Sequence, residues 1–188
     1  MNRRNLLAVA TSLVAAVAAF FAAAPFFRSL RPSARARGEG EPVEVDLSSL
    51  LPGQVKAFVY RGRTILVLRR TPEMLDALPG MQGRLLDVDS ESDPAYVSAE
   101  RRSIQSEFLV VEGVCTHFGC VPRLTNASDG QRKIGDWWPG GFICPCHVSA
   151  YDYAGRVVRG PAPSNLPIPP HRYLSPTRIV IGEPTTLT

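Results

Sequence analysis

The hydrophobic pattern of this chain changes character twice. From Leu6 to Phe27 there is no charged residue. As a helix rising about 1.5 Å per residue, such a stretch reaches roughly 33 Å, enough for a hydrocarbon core of roughly 30 Å. It is rich in alanine, and small residues let helices approach closely in lipid. The pattern therefore predicts one N-terminal transmembrane helix packed against another membrane protein. Arg28 to Pro42 is the opposite, a polar run of Arg, Ser, Pro and Gly that cannot bury a core and reads as a flexible hinge linker. Beyond it, short apolar runs alternate with turn residues. Val43 to Leu47 alternates. Val55–Tyr60 and Thr64–Leu68 flank Arg61-Gly62-Arg63 as a hairpin. Thr71-Pro72-Glu73 starts a short helix, with a capping hydroxyl, Pro in the first turn and an acid beside it. Gly80 to Ser106 is irregular and charged, a surface excursion. Phe108–Val111 and Thr177–Ile181 read as strands, Gly155 as a turn, and Asn126–Gly141 as a loop. The fold class expected is mainly β: an antiparallel β-sandwich base over 43–188 with an inserted subdomain at about 112–165.

Charge adds little to this picture. The formal net charge of +4 lies entirely in the first 42 residues, which hold six Arg against Glu39 and Glu41. The folded part balances to zero, so no basic face for nucleic acid is expected. Arg3-Arg4 before the apolar run reads as a twin-arginine signal, an export route for folded proteins. A cleaved signal peptide is the competing reading, with Ala22-Ala23-Ala24 as its small residues, but Pro25 would then open the mature chain. The anchor is read as retained at 1–27. Arg28, Arg31, Arg35 and Arg37 follow the span, and on the positive-inside rule they favour the reverse orientation. A pre-folded passenger overrides that rule and places the head outside.

Cysteine usage changes the picture most. All four cysteines and two of the three histidines fall in two boxes, Cys115-Thr116-His117-Phe118-Gly119-Cys120 and Cys144-Pro145-Cys146-His147. Two Cys and two His are what a Rieske-type two-iron, two-sulfur cluster needs, with thiolates on one iron and imidazoles on the other. Replacing two thiolates by neutral imidazoles removes two negative charges and lifts the potential from roughly −400 mV into a window of about −150 to +300 mV. That window suits electrons taken from a quinol. The spacing assigns Cys115 and Cys144 to one iron and His117 and His147 to the other, so that two loops clamp the cluster. Cys120 and Cys146 are left over, one per box. A bond between them would tie the loops together and fits an oxidising compartment. A structural zinc on Cys115, His117, Cys144 and His147, an all-cysteine cluster, and two plain disulfides are the competing readings. His171 has no Cys neighbour, sits among prolines, and is expected at the surface.

These boxes resemble the Rieske iron–sulfur subunit of the cytochrome bc complex (ubiquinol–cytochrome c reductase), of the alphaproteobacterial and mitochondrial type. The resemblance rests on Cys115–Pro122, Cys144–Asp152, Gly160–Pro163 and Asn165-Leu166-Pro167, and extends over the N-terminal anchor. It implies the same four ligands and a Cys120–Cys146 disulfide. It implies that Ser149 and Tyr151 donate hydroxyl hydrogen bonds to cluster sulfurs, raising the potential. It makes Gly160, Pro161, Ala162 and Pro163 the Pro loop that covers the cluster. It implies ubiquinol as donor, its proton passing to His147, and a cytochrome b subunit and a c-type cytochrome subunit as partners. It further implies a dimeric complex in the inner membrane, with the head in the periplasm. Rieske ferredoxins of oxygenase systems lack the inner cysteine pair and the anchor. The small Rieske subunit of a periplasmic molybdenum oxidase is the nearer alternative. Phe118 stands where the family usually has Leu, and Val148 where it usually has Gly. Val148 is accordingly expected at negative φ, its side chain adding apolar surface to the tip beside Phe118.

Overall fold

The computed structural model describes residues 2–31, 40–90 and 93–185. The linker expected at 28–42 lies largely outside these residues, and its expected start is corrected, because Arg28 and Ser29 continue the preceding helix. The chain divides into two compact units, Met1–Glu39 and Gly40–Thr188.

Among the described residues the first unit holds one helix, α1, Arg3–Ser29, long and apolar enough to cross a membrane. Pro25 lies inside it, and Arg28 stands in its last turn.

The second unit is built from three antiparallel sheets. Strands β1 (Val43–Asp46), β9 (His171–Ser175) and β10 (Arg178–Ile181) form the first, in the order β1-β10-β9. Strands β2 (Val55–Tyr60), β3 (Arg63–Arg69) and β4 (Phe108–Glu112) form the second in sequence order. Strands β5 (Arg123–Asn126), β6 (Gly140–Ile143), β7 (Ala150–Tyr151) and β8 (Val157–Arg159) form the third. The hairpin between β2 and β3 turns on Arg61 and Gly62, both at positive φ (49° and 71°), the backbone that a two-residue primed turn requires.

The second sheet is the middle layer. Ile65 and Val67 of β3, with Phe108 and Val110 of β4, pack on Val45, Ile179 and Ile181 of the first sheet. Their neighbours Leu66, Leu68, Leu109 and Val111 face the other way, onto Phe142, Tyr151, Tyr153, Val157 and Leu166. Burial on both faces explains why these two strands read as unbroken apolar runs, whereas β2 is exposed at Val55 and Val59. Helix α2, Pro72–Asp76, begins as expected, with the Met74 N–H donating to Thr71 Oγ1.

Two expectations are corrected here. Asn126–Gly141 is not a plain loop: it holds the end of β5, helix α3 (Ala127–Ile134) and the start of β6. Asn126 caps that helix by accepting from the Asp129 N–H. The presence of Gly130 mid-helix hides the pattern, and the reason for it is steric, since a Cβ there would collide with the indole of Trp138. The second correction is His171, which is 1% exposed, not on the surface. It opens β9, its Nδ1 lies 2.8 Å from the Pro169 carbonyl, and Tyr96 and Tyr173 meet it edge-on.

Among the described residues, the excursion between α2 and β4 is irregular apart from a 3-10 turn at Pro79–Arg84, yet it is firmly tied down. Arg102 is fully buried. It pairs with Asp93 and donates to the carbonyls of Ala154, Gly155 and Leu166.

Burial holds the His171 imidazole below its ordinary pKa. The unfolded chain then binds more protons than the folded one between the two values, so stability rises with pH there. His171 should contribute fully above about pH 6.5 and lose that contribution as the pH falls below it. Urea unfolding of the full chain at pH 8 and pH 5 should show a smaller acid loss for His171→Gln than for the wild type. Equal losses would leave His171 without a role in the acid response.

Candidate metal centre

Strand β4 carries the chain into the first box and β6 into the second, and each box closes on itself in the same way. In the first, the Gly119 N–H donates to the Cys115 carbonyl and the Cys115 N–H to the Cys120 carbonyl, both at 2.8 Å. In the second, the Val148 N–H donates to the Cys144 carbonyl (3.1 Å) and the Cys144 N–H to the Ser149 carbonyl (2.8 Å). This closure needs left-handed backbone at its fifth residue. Gly119 takes it at φ 81° and Val148 at φ 58°. The expectation of negative φ at Val148 is therefore overturned, because the turn geometry outranks the residue's preference. The Val148 side chain also does not join Phe118 at the tip. It packs with Leu85 and Trp137 against the core of Met81, Ile134, Trp138, Ile143, Ala150 and Val158.

The structure brings all four expected ligand residues to one end of the third sheet. Cys115 and Cys144 are free and buried. Cys120 and Cys146 form the disulfide that bridges the boxes. An all-cysteine cluster and a pair of plain disulfides are thereby excluded. The rings of His117 and His147 lie edge to face with centroids 4.9 Å apart. His147 is exposed and His117 half-buried. Phe118 is 77% exposed, and its ring centroid is 4.0 Å from that of His117.

The donor set fits an iron–sulfur cluster. His117 Nδ1 is buried with no hydrogen-bond partner. Such an orphan costs about 1–3 kcal/mol unless its lone pair is taken up by a metal. The sulfurs of Cys120, Cys144 and Cys146 also lie within 4.8 Å of one another, but two of them are spent in the disulfide. The thiol left to work with Cys144 is that of Cys115. Burial would raise the Cys115 thiol, but hydrogen bonds from Tyr151, the His117 backbone and Ser149 outweigh it and hold the group below its ordinary pKa. Burial pushes Cys144 up.

Around the thiols lies a layer of hydroxyls. Tyr151 is fully buried and donates to Cys115 Sγ at 3.3 Å. Burial, with the Cys115 sulfur beside it, drives the phenol far above its ordinary range, so it stays protonated. Ser149 Oγ accepts from the Ala162 N–H (3.0 Å), which fixes the segment Gly160, Pro161, Ala162, Pro163 against the second box and leaves the serine proton free to donate. Thr116, which the sequence reading passed over, donates to the Ser164 carbonyl (2.7 Å) and touches Tyr151 Oη with both its amide and its hydroxyl. Its place between Cys115 and His117 was the available clue. Asn165 locks the base of the same segment through Val157, Asp87 and Ser90.

The profile of the Rieske [2Fe-2S] domain matches residues 41–170. The chain belongs to the Rieske iron–sulfur family. It is 48% identical over 184 residues to the ubiquinol–cytochrome c reductase iron–sulfur subunit of Allochromatium vinosum, covering 96% of this chain and 88% of that one. It is 41% identical to the subunit of the same name from Bradyrhizobium diazoefficiens, covering 96% and 94%. A chain of a solved hyperthermophilic respiratory Complex III aligns at 25% identity and a TM-score of 0.49, covering 92% of this chain and 98% of that one. As a Rieske protein this chain binds one two-iron, two-sulfur cluster, which decides against the structural-zinc reading of the same donors.

Two outcomes follow from this geometry. Val148 trades left-handed strain against apolar packing, and a β-carbon alone keeps the strain while losing the packing. Val148→Ala should therefore be less stable than Val148→Gly by about 1 kcal/mol, as read from denaturant midpoints. Cys146→Ser opens the clamp between loops that the cluster alone would then hold. It should cost roughly 2–5 kcal/mol and deplete bound iron in the purified protein. Full iron content at unchanged stability would show the disulfide to be dispensable.

Proposed function

We propose that this chain is the electron-transfer subunit of a quinol–cytochrome c reductase in an inner membrane, anchored by α1 with its head in the periplasm. The observation that carries the reading is the near-full-length similarity to subunits of that name. It is supported by an exposed imidazole, His147, at the end of a disulfide-closed Rieske site.

In this reading Cys115 and Cys144 bind one iron of the cluster, and His117 and His147 the other. When bound, the cluster supplies one-electron redox chemistry at a potential raised by its two neutral imidazole ligands. The chain supplies the rest. His147, open to solvent, meets the ubiquinol hydroxyl and takes its proton. His117 is packed under Phe118 and is less accessible. Tyr151 and Ser149 point hydroxyl donors at the sulfurs and favour the more negative, reduced state. The segment Gly160, Pro161, Ala162, Pro163, held by Ser149 and Thr116, keeps bulk water off the thiolates. The uncharged stretch of α1, Leu6 to Phe27, sits in the bilayer against a cytochrome b subunit of a dimeric complex. The polar stretch that follows α1 links it to the head, which passes from the quinol site to a c-type cytochrome. Arg3 and Arg4 belong to a twin-arginine signal that exports the folded head.

Purification of the full chain from its own membranes in mild detergent tests this. Co-purifying b-type and c-type haem, with quinol-dependent reduction of cytochrome c, is the expected result. A molybdenum-containing partner in place of the haems would overturn it.

A further inference from the structure

We propose that Thr116 is a positioning residue that sets the redox potential of the centre by deciding how the Tyr151 proton is shared. The proposal rests on Cys115 being a cluster ligand. Tyr151 Oη has three polar neighbours at 3.3 Å: the Thr116 N–H, Thr116 Oγ1 and Cys115 Sγ. Thr116 Oγ1 lies 2.7 Å from the Ser164 carbonyl oxygen. A carbonyl only accepts, so the single proton of the threonine hydroxyl is committed there. Toward Tyr151 that hydroxyl is left with lone pairs alone. The Thr116 amide can only donate, and it holds the phenol oxygen in place.

Tyr151 in turn has one proton and two acceptors at equal distance, the cysteine sulfur and the threonine oxygen. Thr116 is thus a fork. Its amide anchors the phenol, and its hydroxyl draws the phenol proton away from the sulfur. Burial keeps Tyr151 from escaping the choice by bonding to water. The carbonyl that polarises the hydroxyl belongs to Ser164, immediately after Pro163, so the packing of that segment feeds into the balance. A hydrogen bond to a ligand sulfur favours the reduced cluster, and Thr116 therefore holds the potential below the value that Tyr151 alone would give.

Redox titration of the cluster-loaded full chain in detergent, with cluster content checked by electron paramagnetic resonance, tests this. Tyr151→Phe should shift the midpoint down. Thr116→Val removes the competing acceptor and should shift it up, while Thr116→Ser should match the wild type. In the Tyr151→Phe background Thr116→Val should produce no further shift, a result that a merely structural threonine would not give. A midpoint for Thr116→Val at or below the wild type, with Tyr151→Phe still shifted, overturns the proposal. A silent Tyr151→Phe overturns the ligand assignment of Cys115 instead. Should Thr116→Val fail to retain the cluster, Thr116→Cys, a weaker acceptor at the same place, should give a smaller upward shift, and a downward one overturns the proposal.

Discussion

The site depends on two short loops closing on their own backbones. Each box spends two N–H groups and two carbonyls on its own turn, so the turn is held by its own backbone. That closure lets the side chains of Cys115, His117, Cys144 and His147 converge on one place while the backbone that carries them keeps a fixed turn. The closure also dictates the left-handed residue at the fifth position. Gly119 meets the demand at no steric cost, and Val148 meets it because an apolar pocket receives its side chain. The disulfide then locks two objects that are already formed.

Support for the loops comes from buried charge. Arg102 with Asp93, and Arg156 with Asp152, are ion pairs shielded from solvent, and each guanidinium also serves backbone carbonyls. Pairs of this kind add little net stability, yet breaking one strands its partner charge. Their value here is placement. Arg102 fastens the irregular segment before β4 to the turn at Gly155 and to Leu166. Asp152 and Arg156 brace the turn that leads from Tyr151 into β8, and Arg156 reaches Leu78 and Gln82 as well.

The two boxes were legible because the chain carries no cysteine outside them, so chemistry and spacing pointed one way. The hairpin at Arg61-Gly62, the cap at Thr71 and the strands around 43, 108 and 178 followed local rules of turn and alternation, and the structure has them within a residue or two. What was not legible is non-local. Helix α3 tolerates Gly130 because of an indole eight residues away. His171 is buried by Tyr96 and Tyr173, the former far away in sequence. The backbone at Val148 follows from a turn whose closing partner is Cys144, and the part played by Thr116 appears only once Ser164 and Tyr151 are both beside it.

The sharing of β3 and β4 between two cores has a mechanical consequence. Alternate residues of the same two strands belong to the base on one side and to the cluster-bearing layer on the other. The two cores share no side chain here, but they share the backbone of these two strands. A shift of either strand to suit one core is therefore imposed on the other, so the base and the layer that bears the two boxes are repacked together or not at all.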